Sequence, residues 1–393
     1  LKVAVGWNKF NLKILGAWPD AALFNGYFSE YRALIPLFLM GTFICGPQLI
    51  NLFFIWGDID LVTENLATAN VPTTNAFLKL YTLWYHRKVL RPLLDSFYED
   101  WYNLKNEEDR KLMLDNAKLV KSLSVWCTVL TQVMVTLFIS LRIVTVLNLD
   151  RDNENQDHIV LYPGYFPYNV RPAPILLLTC FGQIISAYSA TITYTSVDSF
   201  ISMLVLHTCS QFSNLRRRLE NLMSGEFTEK RKAEFQRELS WIVKRHEHLN
   251  WFATSVEESF NFLLLIQILL CTIQMCFQGF QLFNVKHLHN SSSLYILKSM
   301  HVHCFIVVHL YIYCHIESQF ISSGMSDSAY ESKWFNVPPN EAKCLLLIMQ
   351  RSMSPIRLTA GKFGTFSMEM FSKILKTSLS YLSVLLTVAA NDG

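Results

Sequence analysis

The chain has 393 residues, of which 51% are apolar and only 17% charged, and its mean hydropathy is +0.24. Water-soluble domains carry roughly a quarter charged residues, so this composition argues against an ordinary soluble enzyme and calls for an apolar solvent. A formal charge of +3 is too small to draw in nucleic acid, and none is expected as a partner. The opening stretch LKVAVGWNKFNLKILGAWPD has Lys2, Lys9 and Lys13 interrupting every apolar run, so no cleavable signal peptide is read there.

A membrane helix needs about 20 apolar residues to cross a hydrocarbon core about 30 Å thick. In chain order, uncharged runs extend over Ala33 to Trp56, Ser122 to Leu141, Pro172 to Val197 and Ser259 to Val285, and over Ser299 to Ile316 with its histidines neutral. Two weaker candidates are Asn65 to Trp84, which contains Pro72 and Lys79, and Phe366 to Ala390, which carries Glu369, Lys373 and Lys376 in its first turns. Hydropathy alone therefore allows five to seven spans. With seven, most Lys and Arg fall on the side of the N-terminus and the even-numbered loops, which places that side in the cytoplasm and the C-terminus outside. A seven-helix receptor signalling through G proteins requires the reverse orientation. The sequon at Asn290 falls in an outer loop and is a candidate glycosylation site.

Between the spans, residues 86–118 and 207–255 read as cytoplasmic helical extensions with charge patterning. The outer loop YPGYFPYNVRPAP, with four prolines among aromatics, suits either a lid over something in the membrane or a rigid connector. Asp198 lies inside the fourth span, where an ion pair or hydrogen bond to a facing span is expected. His301, His303, Cys304, His309 and His315 lack metal-ligand spacing and read as structural. The nine cysteines sit mostly in apolar runs with no CxxC pair, and no disulfide framework, metal, cofactor or catalytic motif is found.

The last apolar segment is the most informative. Set on a helix at about 100° per residue, Glu369, Lys373, Lys376, Thr377, Ser380, Val384, Thr387 and Asn391 share one face. Phe371, Leu375, Ser378, Leu382, Leu385 and Leu386 share the other. A polar stripe along a membrane helix faces protein or water, not lipid. It therefore either packs on a neighbour through small residues or lines a pore, with Val384 as an apolar constriction and Thr387 and Asn391 further out. Snorkelling to the headgroups accounts for Lys373 and Lys376.

Residues 326–385 resemble the insect odorant receptor family, through Ala329-Tyr330 and Trp334-Phe335, the run LLLIMQRS, the motif LTAGKF from Leu358 to Phe363, and SYLSVL. ILGAWP near the N-terminus and Asp198, Phe200, His207, Gln211 and Leu215 in the fourth span are similar to the family too. The resemblance implies an all-α membrane protein of seven transmembrane helices, with a tetrameric channel whose last helix lines the pore. The implied layout is a cytoplasmic segment 1–32, helices 1–6 over 33–323, a cytoplasmic anchor segment 324–365 and the pore helix 366–393. It puts Val384 and Val388 at the gate and Thr387 at the outer filter, with Lys373, Thr377, Ser380 and Asn391 along the pore. It places a small volatile, apolar or aromatic, in the outer half of the bundle, near Phe77, Tyr81, Val135, Phe138, Phe181, Ile184, Tyr188, Met300, Cys304 and Phe305. The compact loop between spans four and five, and Thr387 where the co-receptor favours Gln, imply an odour-tuning subunit. Such a subunit works in a heterotetramer with the odorant receptor co-receptor, in the plasma membrane of olfactory sensory neuron dendrites. A gustatory-type ligand-gated channel is the nearest alternative.

Overall fold

The computed structural model describes residues 1–19, 31–104, 106–147, 159–224, 232–284, 325–331, 334–336, 338–352 and 356–392. The sixth apolar run (Ser299 to Ile316), the sequon at Asn290 and the histidine group at 301–315 lie outside the described residues, so the seven-span count is described only in part.

A short helix α1 (Lys2–Ile14) packs on the bundle and is followed by the buried Trp18, whose ring meets Phe200 edge-on at 5.7 Å. The first membrane span is α2 (Leu34–Phe54). The second, α3, covers residues 59–85 and so begins before the apolar run that marked it, with Asp58 capping its first turn by accepting from the Leu61 N–H at 3.0 Å. Both spans contain a proline, which lacks the N–H that the carbonyl four residues back needs. Both solve this in the same way: the turn before the proline widens to a π-helix, Gly41–Cys45 ahead of Pro47 and Leu66–Asn70 ahead of Pro72.

Helix α4 (Arg87–Tyr102) is cytoplasmic by the charge rule, and three long helices follow: α5 (Glu107–Leu147), α6 (Ala173–Ser224) and α7 (Lys232–Asn284). At about 1.5 Å per residue, 41, 52 and 53 residues exceed a membrane's thickness. Each therefore continues beyond the apolar run that marks its span, through the charge-patterned segments next to it. α8 (Met325–Glu331), a 3-10 turn at Trp334–Asn336 and α9 (Pro339–Ser352) come next. A two-residue hairpin, β1 (Thr359–Ala360) with β2 (Gly364–Thr365), then leads into the final helix α10 (Met368–Asp392). The hairpin is the LTAGKF motif. Gly361 and Lys362 both take left-handed backbone angles, φ 58° and 64°, and the Phe363 N–H closes the turn on the Ala360 carbonyl at 3.1 Å. Its Gly361 N–H also donates to the Asn261 carbonyl of α7 at 2.8 Å.

Two polar junctions hold the helices in register. Within the membrane, the fully buried Lys79 of α3 meets Asp198 of α6 at 2.6 Å, and Gln267 of α7 donates to the other carboxylate oxygen at 3.4 Å. The Lys79 ammonium also lies 3.4 Å from the centre of the Tyr194 ring. This is the ion pair to a facing span expected of Asp198. At the cytoplasmic end, Asp100 of α4 accepts from His207 of α6 at 3.0 Å and from Arg245 of α7 at 2.5 Å, and Arg245 also donates to Gln211 at 3.1 Å. Burial alone pushes the Asp100 carboxyl up, but the His207 and Arg245 contacts outweigh it and hold it below its ordinary value. Burial likewise holds His207 below the ordinary histidine range, which makes it a neutral imidazole at pH 7.

Removing one member of the Lys79–Asp198 pair leaves a charge stranded in the interior, at a cost of about 3–5 kcal/mol. Lys79→Met is expected to lower the thermal midpoint of the detergent-solubilised protein sharply, and the double variant Lys79→Met/Asp198→Leu to recover most of that loss. Additive losses from Lys79→Met and Asp198→Leu would contradict the pairing.

Candidate ligand cluster and polar terminal helix

The outer half of the bundle contains an apolar cluster separate from the main core. Its buried members are Ile44 of α2, Ala69 of α3, Ile139 of α5, Ala187 of α6, and Leu161 and Tyr162 from the outer loop. Val135, Phe138, Cys180, Ile184 and Tyr188 pack against it, half-buried. Of the ten residues that sequence assigns to a ligand pocket, the structure therefore gathers Val135, Phe138, Ile184 and Tyr188. Phe77 packs instead against the main core, 3.8 Å from where a Cβ on Gly41 would stand. Tyr81 sits one turn from the inner end of α3, exposed and stacked with Tyr85 at 6.1 Å, away from the cluster. Phe181 points outward with 60% of its surface exposed, and its neighbour Cys180 takes the place on the cluster's face. Met300, Cys304 and Phe305 lie outside the described residues.

What sequence reasoning missed is the depth of the loop. Residues Ile159 to Tyr162 are almost wholly buried, and Tyr162 stands against Phe138 with ring centres 5.4 Å apart. The loop enters because its backbone is satisfied from inside. Gln183 of α6, fully buried, accepts from the Tyr162 N–H at 3.2 Å and donates to the Tyr162 carbonyl at 2.9 Å. The same amide donates to the Phe43 carbonyl at 3.4 Å, the carbonyl that Pro47 leaves without its helical N–H. Pro47's own carbonyl accepts from the Tyr165 N–H at 3.0 Å, and Gln48 donates to the Pro163 carbonyl at 3.4 Å. The proline-rich composition signals a structured loop, but nothing in it signals a plug. Burial pushes the Tyr162 phenol well up, and the nearby Tyr188 phenol pushes it the same way.

The second feature is α10. Ile374 and Ser378 are buried, while Phe371, Leu375, Leu382, Leu385 and Leu386 are half-buried. Gly279 of α7 permits this approach, since a Cβ there would stand 2.8 Å from Leu382. Lys373, Thr377, Ser380 and Thr387 are exposed, as is Val384 at 60%, and Lys373 reaches back to Glu369 at 2.6 Å. The hydroxyls of Ser380, Ser383 and Thr387 return bonds to the carbonyls one turn back, at 2.9 to 3.0 Å. The side chains of Val388 and Asn391 lie outside the described residues.

Residues 60–379 match the family model described as 7tm odorant receptor, which spans most of the chain. The protein therefore belongs to the seven-transmembrane odorant receptor family of multi-pass membrane proteins. It is similar to odorant receptor 13a of Drosophila melanogaster, 24% identical over 356 residues, 85% of this chain and 82% of that one. It matches the odorant receptor coreceptor of Ooceraea biroi over a shorter stretch, 22% identical over 160 residues, 40% of this chain and 33% of that one. The fold is that of the olfactory receptor OR5 of Machilis hrabei, solved in complex with eugenol, with a TM-score of 0.81, 14% identity and 98% of both chains covered.

Gln183→Leu strips the Tyr162 N–H, the Tyr162 carbonyl and the Phe43 carbonyl of a partner, each worth about 1–3 kcal/mol when left unmade. The loop is then expected to open more often. A cysteine placed at Val160, which is fully buried, should react with a membrane-impermeant thiol reagent at least about tenfold faster in the Gln183→Leu background. An unchanged rate would mean that Gln183 does not hold the loop down.

Proposed function

We propose that this chain is the odour-tuning subunit of an odorant-gated cation channel, assembled with the family's co-receptor in the plasma membrane of olfactory sensory neuron dendrites. The observation that carries the proposal is the division of α10. One side packs on α7, and the other leaves Ser380, Val384 and Thr387 uncovered in a single subunit. Hydroxyl groups on a membrane helix gain nothing from lipid, and several copies of this stripe facing a shared axis would give it water.

In that arrangement Val384 and Val388 form the gate, a ring of branched apolar side chains that excludes ions by dewetting. Thr387 and Asn391 offer uncharged oxygen and amide groups to a partly hydrated cation further out, and Lys373, Thr377 and Ser380 line the inner approach. A small volatile occupies the outer cluster around Val135, Phe138, Ile184 and Tyr188, with Met300, Cys304 and Phe305 supplied by the sixth span. It binds the open arrangement better than the closed one, and that difference in affinity is what opens the pore.

Val384→Ser replaces the apolar constriction with a wettable one. In complexes with the co-receptor, basal current is expected to rise several-fold without odorant. Cysteines at Ser380, Val384 and Thr387 should react with aqueous thiol reagents much faster than cysteines at Leu382 and Leu386. Unchanged basal current together with equal labelling of the two faces would exclude α10 from the pore.

A further inference from the structure

Besides the Gln183 amide, the outer cluster has a hydroxyl pair at its edge whose protons can be counted. Thr136 of α5 stands one turn beyond Gln132, and its hydroxyl lies 2.8 Å from the Gln132 carbonyl. The same oxygen lies 2.7 Å from the phenol oxygen of Tyr188 on α6. A threonine hydroxyl has a single proton. Bonding back to the carbonyl four residues earlier is the habit of hydroxyls throughout this helix, as at Thr128, Thr131, Ser140 and Thr145. With the Thr136 proton committed to Gln132, its oxygen is left to accept and the Tyr188 phenol donates to it. A phenol is also the stronger acid of the two, which favours the same direction. The Tyr188 oxygen then has no proton to give and lone pairs to offer.

We propose that Tyr188, held by Thr136 as a hydrogen-bond acceptor, makes this cluster select volatiles that carry a hydroxyl group, alcohols and phenols, over ketones and ethers of the same carbon skeleton. The proposal rests on the cluster being the odorant pocket. Thr136 is exposed and Tyr188 half-buried, so both hydroxyls remain accessible beside apolar walls made by Val135, Phe138 and Ile184. An alcohol lying against Phe138 donates to the Tyr188 oxygen and keeps its own oxygen free to accept. A ketone brings only lone pairs, which Tyr188 cannot satisfy. Discrimination by one such bond is about tenfold.

The test is current from the full chain expressed with the co-receptor, using volatiles paired by skeleton: 1-phenylethanol with acetophenone, and secondary alcohols of six to ten carbons with their ketones. Ethylbenzene and the matching alkanes serve as apolar controls. The expected result is an alcohol potency about tenfold above that of the paired ketone. Tyr188→Phe should remove this advantage, so that the alcohol and the ketone of each pair reach similar potency. Thr136→Val frees the phenol proton, so Tyr188 becomes a donor and the ketones should gain on the alcohols. Hydrocarbon responses with no alcohol preference, or a preference that survives both substitutions, would overturn the proposal while leaving the channel and its pocket standing. Silence toward the whole panel from complexes that reach the cell surface would overturn both.

Discussion

Hydrocarbon offers no hydrogen bonds, so every backbone group and every charge that this chain carries into the membrane has to be answered from within the chain. Much of the architecture follows from that constraint at a few positions. Pro47 removes one donor from α2. The turn ahead of it widens into a π-helix, and the Phe43 carbonyl takes its hydrogen bond from Gln183 of α6. The amide recruited for that carbonyl also holds both backbone groups of Tyr162, and so the outer loop comes to be buried. A vacancy in one helix thereby fixes where a loop more than 100 residues later enters the bundle.

The same constraint explains Lys79 and Asp198. Neither charge is tolerable alone in the membrane interior, and each is buried to within 2% of complete. Paired across α3 and α6, and bonded to Gln267 of α7, they lock three spans against sliding or rotation. Such a pair adds little net stability over a well-packed apolar substitute. What it supplies is register, because a quarter-turn of any of the three helices would strand a charge. The cytoplasmic junction at Asp100 repeats the design one level further in, joining α4, α6 and α7. Helices α6 and α7 are thus pinned to each other at two heights.

How much of this was legible in the sequence depends on whether the signal was local. The two faces of α10 could be read from periodicity, since lipid and protein sort side chains around a single helix and the structure leaves Ser380, Val384 and Thr387 exposed. That Asp198 needs a partner could be read from its position, but not that the partner is Lys79, which is 119 residues away. The resemblance to the family places Tyr81 and Phe181 among the ligand residues. In the structure Tyr81 lies close to the inner end of α3, and Cys180 holds the inward position on α6 beside the exposed Phe181. Tyr162 and Gln183 carried no local signal, because the reason they meet is a proline in a different helix.

These contacts also restrict how ligand and pore communicate. Among the described residues, the outer cluster is built from α2, α3, α5, α6 and the loop, and contains nothing from α7 or α10. The pore-facing helix leans on α7 through Leu382 and Gly279, and the LTAGKF hairpin before it is bonded to α7 at Asn261. Within this part of the chain, a change at Tyr188 or Tyr162 reaches α10 by way of α7, on which α3 packs too, and one route is a movement of α6 against α7. Those two helices are joined by the Asp198–Gln267 contact in the membrane and by the Asp100 junction below it. Since the Asp198 carboxylate cannot leave Lys79 without stranding a charge, α6 is free to tilt about that point but not to slide past it. On the proposed reading of the outer cluster and of α10, the two sit on two arms of one lever.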